Sequence, residues 1–500
     1  MQDENTVLAR KYASDLSIPE ELAQILAQRF PVYRDAKSFL NPDIKDLYPP
    51  DTIPDIETAA DIIIESIKKN EGLLIYSHDD VDGYTAAAVM YKTLKEISRD
   101  TEKLFVYPVV REKDGYILNP DVLDDFKKRG VELVITVDFG ISNRENFTIA
   151  RTRGLKLVVC DHHETRNTDF PVPAVDPKRP DSNYPFRELA GVGVSFKLAQ
   201  FLYQKVFKLS ADEFYRLKKD FFVLVMLGTF SDRVTLLQEN RIFCTCGMEI
   251  LKKRELPWTG LFRKDNELTI NQITEEIIPT LASAAYCNPQ YGVDFLIKDD
   301  RKYLNAILEE LKTTTGERRR GADRLFREAV SAAKILPEIV VSIVPFSKQH
   351  YLGVVASRMK SRFKRTAVVI GLKDEKCFGE LRSYNLDLYK MLQSFQELFQ
   401  DFGGHKSAAG FTMVKENLDR FVEAVIRYVS DDGDSTTENN EATLKKEKPV
   451  FLDKSNVHIL KPLLPFGEGN PPPVLTDGIN FYTIDNRLRI IDRGIDNGES

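Results

Sequence analysis

Three short β-branched runs in this chain each stop on acids or imidazoles. "EGLLIYSHDD" is apolar from Leu73 to Tyr76 and then turns to His78, Asp79 and Asp80; "VELVITVDFG" ends at Asp138; "LKLVVCDHH" ends at Asp161, His162 and His163. Helical lengths such as 85–98 and 143–153 separate them. Runs of this kind predict β-α units around a parallel sheet whose strands are buried on both faces. Ligands of such sheets collect outside the carboxyl ends of the strands. The fold class expected is therefore α/β, with the chemistry at that edge.

Taken alone, the pair Asp80 and Asp82 in "SHDDVDG" is weak, because most such pairs are turn residues or helix caps. It gains meaning from its companions. Asp232 follows an apolar stretch in "FFVLVMLGTFSDRV" that suits a buried helix, so Asp80, Asp82, Asp138 and Asp232 join at least one imidazole. That is a hard-to-borderline ligand set fitting divalent manganese, magnesium or zinc, and without thiolates it does not describe a structural zinc site. So many acids in one pocket repel unless metal charge offsets them. Two metals about 3.5 to 4 Å apart would hold a phosphate between them and make hydroxide available at neutral pH. Phosphoester hydrolysis is the reaction that follows.

The bulk numbers remove other classes. At 500 residues the chain predicts two or three domains. With 42% hydrophobic and 29% charged residues it reads as globular, and no stretch approaches the roughly 20 apolar residues of a membrane span. The N-terminus shows no apolar signal core, and the five cysteines lack framework spacing, so a cytoplasmic protein is expected. A net charge of −6 means that a nucleic-acid partner must be held by a local basic patch. One such run is Arg358, Lys360, Arg362, Lys364 and Arg365.

The set "SHDDVDG", "VDFG", "CDHHE" and "GTFSD" resembles the four motifs of the DHH phosphoesterase superfamily. Longer stretches, "VDPKRPDSNYPFRELAGVGVSFKLAQ", "HYLGVVASRMKSRF", "GELRSYN", "DFGGHKSAAGFTM" and "LLPFGEGNPPP", are similar to its RecJ branch of single-strand exonucleases, and they come in the same order. The chain departs from that branch at His78 and Asp79, where bacterial members carry an acid and an aromatic. It departs again at "PTLASAAYC", where an asparagine and an arginine are usual.

The resemblance implies roles at numbered positions. Asp80 and Asp82 would each bind one of two Mn or Mg ions, Asp138 would bridge them, and His162 and Asp232 would complete the second site. His78 is a further candidate ligand. Asp161 and His163 would be supporting or substrate-facing groups, with Asp161 orienting an imidazole. Arg111 would hold a terminal phosphate, and Ser357, Arg358, Arg382, Ser383, Gly404 and His405 would grip the strand's backbone.

The resemblance also implies two α/β domains, a DHH catalytic domain with a parallel sheet and a DHH-associated domain, joined by a long helix around a cleft. The expected order is a helical lead-in at 1–70, the metal-binding domain at 71–250, a helical connector at 251–330 and the associated domain at 331–430. A flexible linker at 431–449 and a partial oligonucleotide-binding-barrel segment at 450–500 would follow. The implied activity is stepwise hydrolysis of single-stranded DNA from its 5′ end to mononucleotides in repair or recombination. RNA is a further substrate, a single-strand-binding protein or a helicase a further partner, and a monomer with no membrane contact the expected state. Two alternatives stand beside it: a DHH-type hydrolase of short oligonucleotides or small nucleotide phosphoesters, and a non-catalytic RecJ-like replication scaffold.

Overall fold

The structure, a computed structural model, describes residues 4–98, 100–115, 117–253, 256–262, 268–345, 349–384, 386–404, 406–431 and 447–493. The chain divides into two compact units, Met1–Lys312 with Leu444–Ser500, and Thr313–Thr443. No described helix is long and apolar enough to cross a membrane.

The first unit opens with helices α1 (Glu4–Leu16), α2 (Glu20–Arg29), α3 (Tyr33–Leu40) and α4 (Ile56–Lys68). Its centre is a parallel sheet of β1 (Gly72–Ser77), β2 (Leu104–Pro108), β3 (Val131–Val137), β4 (Lys156–Cys160) and β5 (Ala174–Val175), in the order β2-β1-β3-β4-β5. Side chains alternate across a strand, so each run feeds two cores at once. Leu73, Ile75, Leu133, Ile135 and Val158 enter the main core, while Leu74, Tyr76, Val134 and Val159 pack with Leu123, Phe147 and Ala150 on the other face. Both faces are covered, which is why the runs are continuously apolar.

Four helices complete that layer: α5 (Val81–Ile97), α6 (Gly191–Phe207), α7 (Lys219–Asp232) and α8 (Gln238–Lys253). From Phe221 to Thr229 every residue of α7 is buried, the mark of a helix surrounded by other elements, and its last residue is Asp232. Between α6 and α8 lies a fully buried ion pair, Lys197 Nζ to Glu239 Oε1 at 2.6 Å.

A long helix, α9 (Arg301–Ser331), starts in the first unit, where Leu304, Ile307, Leu308 and Leu311 pack, and ends with Ala322, Leu325 and Ala329 in a core of the second. The second unit holds a six-stranded sheet of β6 (Ala333–Ile335), β7 (Ile339–Pro345), β8 (Thr366–Lys373), β9 (Lys376–Arg382), β10 (Asp401–Gly404) and β11 (Ala408–Val414), in the order β10-β11-β9-β8-β7-β6. Only β7 and β8 run parallel, and α10 (Gln349–Phe363) makes the crossover between them.

The chain then returns to the first unit. Strands β12 (Val450–Phe451), β13 (Leu475–Thr476), β14 (Phe481–Ile484) and β15 (Ile490–Arg493) form a four-stranded sheet. Val450, Leu452, Leu460, Leu463, Tyr482 and Ile484 share one core with Tyr12, Leu22, Leu26 and Phe39. The stretch read as a helical lead-in and the stretch read as a barrel segment are thus two halves of one packing unit. Most of the expected linker, 432–446, lies outside the described residues.

Candidate metal centre

Strands β1, β3 and β4 end level, with Ser77 paired to Val137 and Val137 to Cys160. The chain winds to one side of β1 through β2 and to the other through β3 and β4. Sheets wound this way open a crevice at the switch between those two central strands. The residues that follow each strand end meet there: His78, Asp80 and Asp82 after β1, Asp138 after β3, and Asp161 with His162 and His163 after β4. Asp138 is buried and holds a left-handed backbone with φ 59°. Aspartate tolerates that state better than most residues, and buried examples cluster where function sets the geometry.

Two groups of side chains lie close enough to share an ion: His78, Asp80 and Asp138, and Asp82, His162 and Asp232. They meet where His162 Nε2 stands 3.1 Å from Asp138 Oδ1, 3.8 Å from Asp82 Oδ2 and 3.7 Å from Asp232 Oδ2. His78 Nδ1 is 2.8 Å from Asp80 Oδ2 and 4.0 Å from Asp138 Oδ2. His163 forms a third group with Asp138 and His162. Every residue expected to bind metal therefore falls in one overlapping cluster.

Several of these groups are held from behind. His162 Nδ1 lies 3.1 Å from the Leu189 carbonyl, which fixes the tautomer with a proton on Nδ1 and leaves the Nε2 lone pair facing the acids. Burial, then the neighbouring His163, pushes the His162 pKa down to about 3, so the ring is neutral. Asp80 caps α5, accepting from Gly83 N at 2.9 Å. Asp82 accepts from Gly191 N at 2.7 Å and Val192 N at 2.9 Å, so the positive end of α6 supports both of its oxygens. Asp161 accepts from Ile141 N at 2.9 Å and lies 2.7 Å from His163 Nδ1. Burial opposes the Asp161 charge, but His163 holds its pKa below the usual range, and Asp161 in turn lifts His163 to about 9. Asp161 thus orients an imidazole.

The donor set fits divalent cations. Burial first, and then repulsion from neighbouring acids, raises the pKa of Asp82 and of Asp138 well above the ordinary carboxylate value, and lifts Asp232 to about 6. Without positive charge among them these carboxylates cannot all ionise together. Bound Mn or Mg supplies that charge, and oxygen donors with one neutral imidazole are what such ions accept.

Beside the cluster, Arg111 donates to Asp79 Oδ1 at 2.7 Å; the guanidinium is 44% exposed and the carboxylate 1%. The acid that departs from the RecJ pattern thus anchors the arginine expected to meet a terminal phosphate.

The second unit is arranged around α10 and β9. A Cβ on Gly353 would lie 2.7 Å from Arg382 Nη2, and Ser357 donates to the Gly353 carbonyl at 3.1 Å, so these three are neighbours. Arg382 pairs with Glu380 at 3.0 Å. Ser383 Oγ accepts from Leu386 N at 2.8 Å, and Gly404 ends β10 at φ 133°. Arg358 is committed to Asp323 at 2.7 Å and lies over Phe326, and Arg365 donates to the Pro337 and Phe363 carbonyls. The basic run is therefore partly structural. His405 lies outside the described residues.

Gly191 and Gly228 carry roles that the sequence reading did not assign. A Cβ on Gly191 would run into the Asp138 carboxylate, and one on Gly228 into that of Asp82. "GVGVS" and "LGTFSD" hint at close packing, but neither says against what.

Comparison with known proteins agrees with this geometry. Residues 72–229 match the DHH family, N-terminal domain, and 337–431 match the DHHA1 domain, together just over half of the chain. A Bacillus subtilis protein named single-stranded-DNA-specific exonuclease RecJ is 29% identical over 485 residues, 93% of this chain and 59% of the relative. The chain thus spans less than two thirds of that relative's length. The Escherichia coli protein of the same name is 25% identical over 519 residues, 98% of this chain and 89% of the relative. Among solved structures, RecJ from Thermus thermophilus in complex with Mn2+ aligns with a TM-score of 0.76 at 20% identity, covering 99% of this chain and 73% of that one. A parallel sheet delivering its acids and imidazoles to one switch point thus lies in a stretch that matches the DHH family, N-terminal domain, and is followed by a DHHA1 domain, in a chain similar over most of its length to the RecJ exonucleases.

Proposed function

We propose that this protein is a two-metal phosphodiesterase that degrades single-stranded DNA from the 5′ end to mononucleotides, in repair or recombination. The observation that carries this is the meeting of Asp80, Asp82, Asp138, His162 and Asp232 around shared positions in a chain resembling RecJ along nearly its whole length. Asp80 would hold one ion, with His78 beside it, and Asp82, His162 and Asp232 would hold the other, with Asp138 offering a ligand to both; the first group gathers His78, Asp80 and Asp138 and the second Asp82, His162 and Asp232. With Mn or Mg bound, the carboxylates would remain ionised together, and the site would gain a Lewis acid for the phosphodiester and for the attacking water.

The chain's own groups do the rest. His162 keeps an unprotonated Nε2 towards the acids because Leu189 takes its other nitrogen. Asp82 stays oriented by two backbone donors at the start of α6. Arg111, held by Asp79, offers an exposed guanidinium to a 5′-terminal phosphate, a charge-assisted contact available only when that phosphate is present. Ser357, Arg358, Arg382, Ser383, Gly404 and His405 contact the strand's backbone. RNA is a further substrate, the protein works as a monomer in the cytoplasm, and a single-strand-binding protein or a helicase is its partner.

The test is digestion of end-labelled single-stranded DNA, RNA and a dinucleotide with Mn or Mg. Mononucleotides appearing from the 5′ end of DNA are expected. Cleavage of the dinucleotide alone would make it a short-oligonucleotide hydrolase, and no cleavage at all would favour a scaffold. Arg111→Ala should slow a 5′-phosphorylated strand far more than a 5′-hydroxyl one.

A further inference from the structure

The motif "LLPFGEGNPPP" has no part in the chemistry described so far, yet it touches the turn that carries a metal donor. Asp232 is the last residue of α7, Arg233 follows in a left-handed conformation at φ 57°, and α8 begins at Gln238. Among residues 233–237, Leu236 N donates to the Glu468 carbonyl at 2.8 Å. The glycine next in line, Gly469 at φ 71°, sits so tightly on Thr235 that a Cβ would run into its hydroxyl. A Cβ on Gly467 would lie 2.6 Å from Leu236 Cδ1. The backbone of one loop is pressed on the turn at successive positions.

That loop is itself rigidly held. Gly467 and Asn470 exchange backbone hydrogen bonds at 3.0 and 3.1 Å. Asn470 is fully buried; its Nδ2 donates to the Leu463 and Pro465 carbonyls, both at 2.7 Å, and its Oδ1 accepts from Arg29 Nη1 at 2.6 Å. From the other side, Asn240 Nδ2 donates to the Thr235 carbonyl at 2.9 Å and the Glu188 carbonyl at 2.5 Å. Glu188 immediately precedes Leu189, whose carbonyl orients His162. The turn after Asp232 is thus clamped between the C-terminal loop and the segment that holds His162 and, through Gly191, Asp82.

We propose that residues 465–471 form a positioning element for Asp232, with Gly469 and Asn470 as positioning residues: they set where the carboxylate stands relative to Asp82 and His162, and so the affinity of that metal site. A group hydrogen-bonded directly to a metal ligand typically changes metal affinity by about 10 to 100-fold, and this loop acts on Asp232 through Thr235 and Leu236. The inference rests on the metal-centre reading above.

The test is Mn2+ binding to the full chain, followed by electron paramagnetic resonance, with thermal melting alongside. Gly469→Ala should weaken one class of Mn2+ site by about 10-fold or more while the melting curve stays cooperative, and the half-saturating Mn2+ for digestion of a short strand should rise in step. Adding Thr235→Ala, which removes the hydroxyl that the new methyl meets, should restore affinity towards the value of Thr235→Ala alone. Should Gly469→Ala not fold, Asn470→Asp, which removes the donors to Leu463 and Pro465, is read in the same way. A variant isotherm that overlays the wild type, or an affinity loss that Thr235→Ala leaves untouched, overturns the proposal. Absence of Mn2+ binding by the wild type would instead sink the metal centre itself.

Discussion

The N-terminus of α6 and the third acid of the centre are in contact: Gly191 passes so close to Asp138 that only a hydrogen fits between its Cα and the carboxylate. The same glycine donates its backbone N–H to Asp82 at 2.7 Å. One residue without a side chain therefore sets the spacing of two acids. Gly191→Ala should displace Asp138 or tilt α6, and a shift of about 1 Å at a reacting centre costs on the order of 100-fold in rate. Turnover on a short DNA strand and Mn2+ affinity should fall together while circular dichroism is unchanged. Normal turnover in the variant would mean that the helix is free to yield.

Asp138 stands between the two ligand groups, and its replacement should be more damaging than loss of any outer partner. Asp138→Asn keeps the volume and removes the charge, so turnover should drop by more than about 100-fold with the fold and strand binding preserved. A near-normal rate under saturating manganese would remove Asp138 from the centre.

Asp176 gives a pH dependence separate from the metal donors. It is fully buried and accepts from Lys178 N at 2.6 Å, and burial, followed by the charge of Asp161, raises its pKa from 3.8 to about 8. The folded protein thus holds a proton between those values that the unfolded chain has lost. The stability from this group is complete below the unfolded value and is lost as pH rises through about 8, with a slope of up to about 1.4 kcal/mol per pH unit. Asp176→Asn cannot titrate, so its denaturant midpoint should decline less than the wild type's between pH 5 and 7.5. Parallel curves would show that Asp176 is ionised in the folded state.

The buried pair of Lys197 and Glu239 ties helices together rather than serving the site. Lys197 Nζ also donates to the Tyr48 carbonyl at 2.7 Å, and Glu239 accepts from Tyr48 N and the Tyr184 hydroxyl. Lys197→Met leaves a buried carboxylate without its cation and should cost about 3 to 5 kcal/mol in equilibrium unfolding. Combining it with Glu239→Gln should recover part of that loss, since the remaining group is then neutral. No recovery would place the cost in packing.

The strands and their acids were legible because a short, continuously apolar β-branched run and a polar stop are local signals, and because parallel strands in register bring their ends to one line. Asp80 and Asp138 could be named from that, Asp82 and Asp232 as their companions, and an imidazole beside them; the choice of His162 came from the resemblance to the DHH motifs. Gly191 and Gly228 could not, since what a Cβ would strike lies 53 residues away in one case and 146 in the other. Nor could the shared core of Tyr12, Leu26 and Tyr482, whose parts are separated by most of the chain. The anchoring of Arg111 was hidden for a related reason: Asp79 looked like a departure from a pattern and proved to be a partner.

The first unit is interrupted in sequence by the second, and this gives its assembly an order in time. Chains emerge from the ribosome N-terminus first, at about 5 to 20 residues per second. Thr313–Thr443 is contiguous and can close its own cores as soon as it is made. The apolar faces of Tyr12, Leu22, Leu26 and Phe39 must meanwhile wait for Val450, Leu463 and Tyr482. Helices made well before Thr313–Thr443 therefore find these partners only after it, and a nascent chain halted before Val450 would carry its candidate metal-binding acids beside an unfinished hydrophobic face, a ready target for chaperones and proteases.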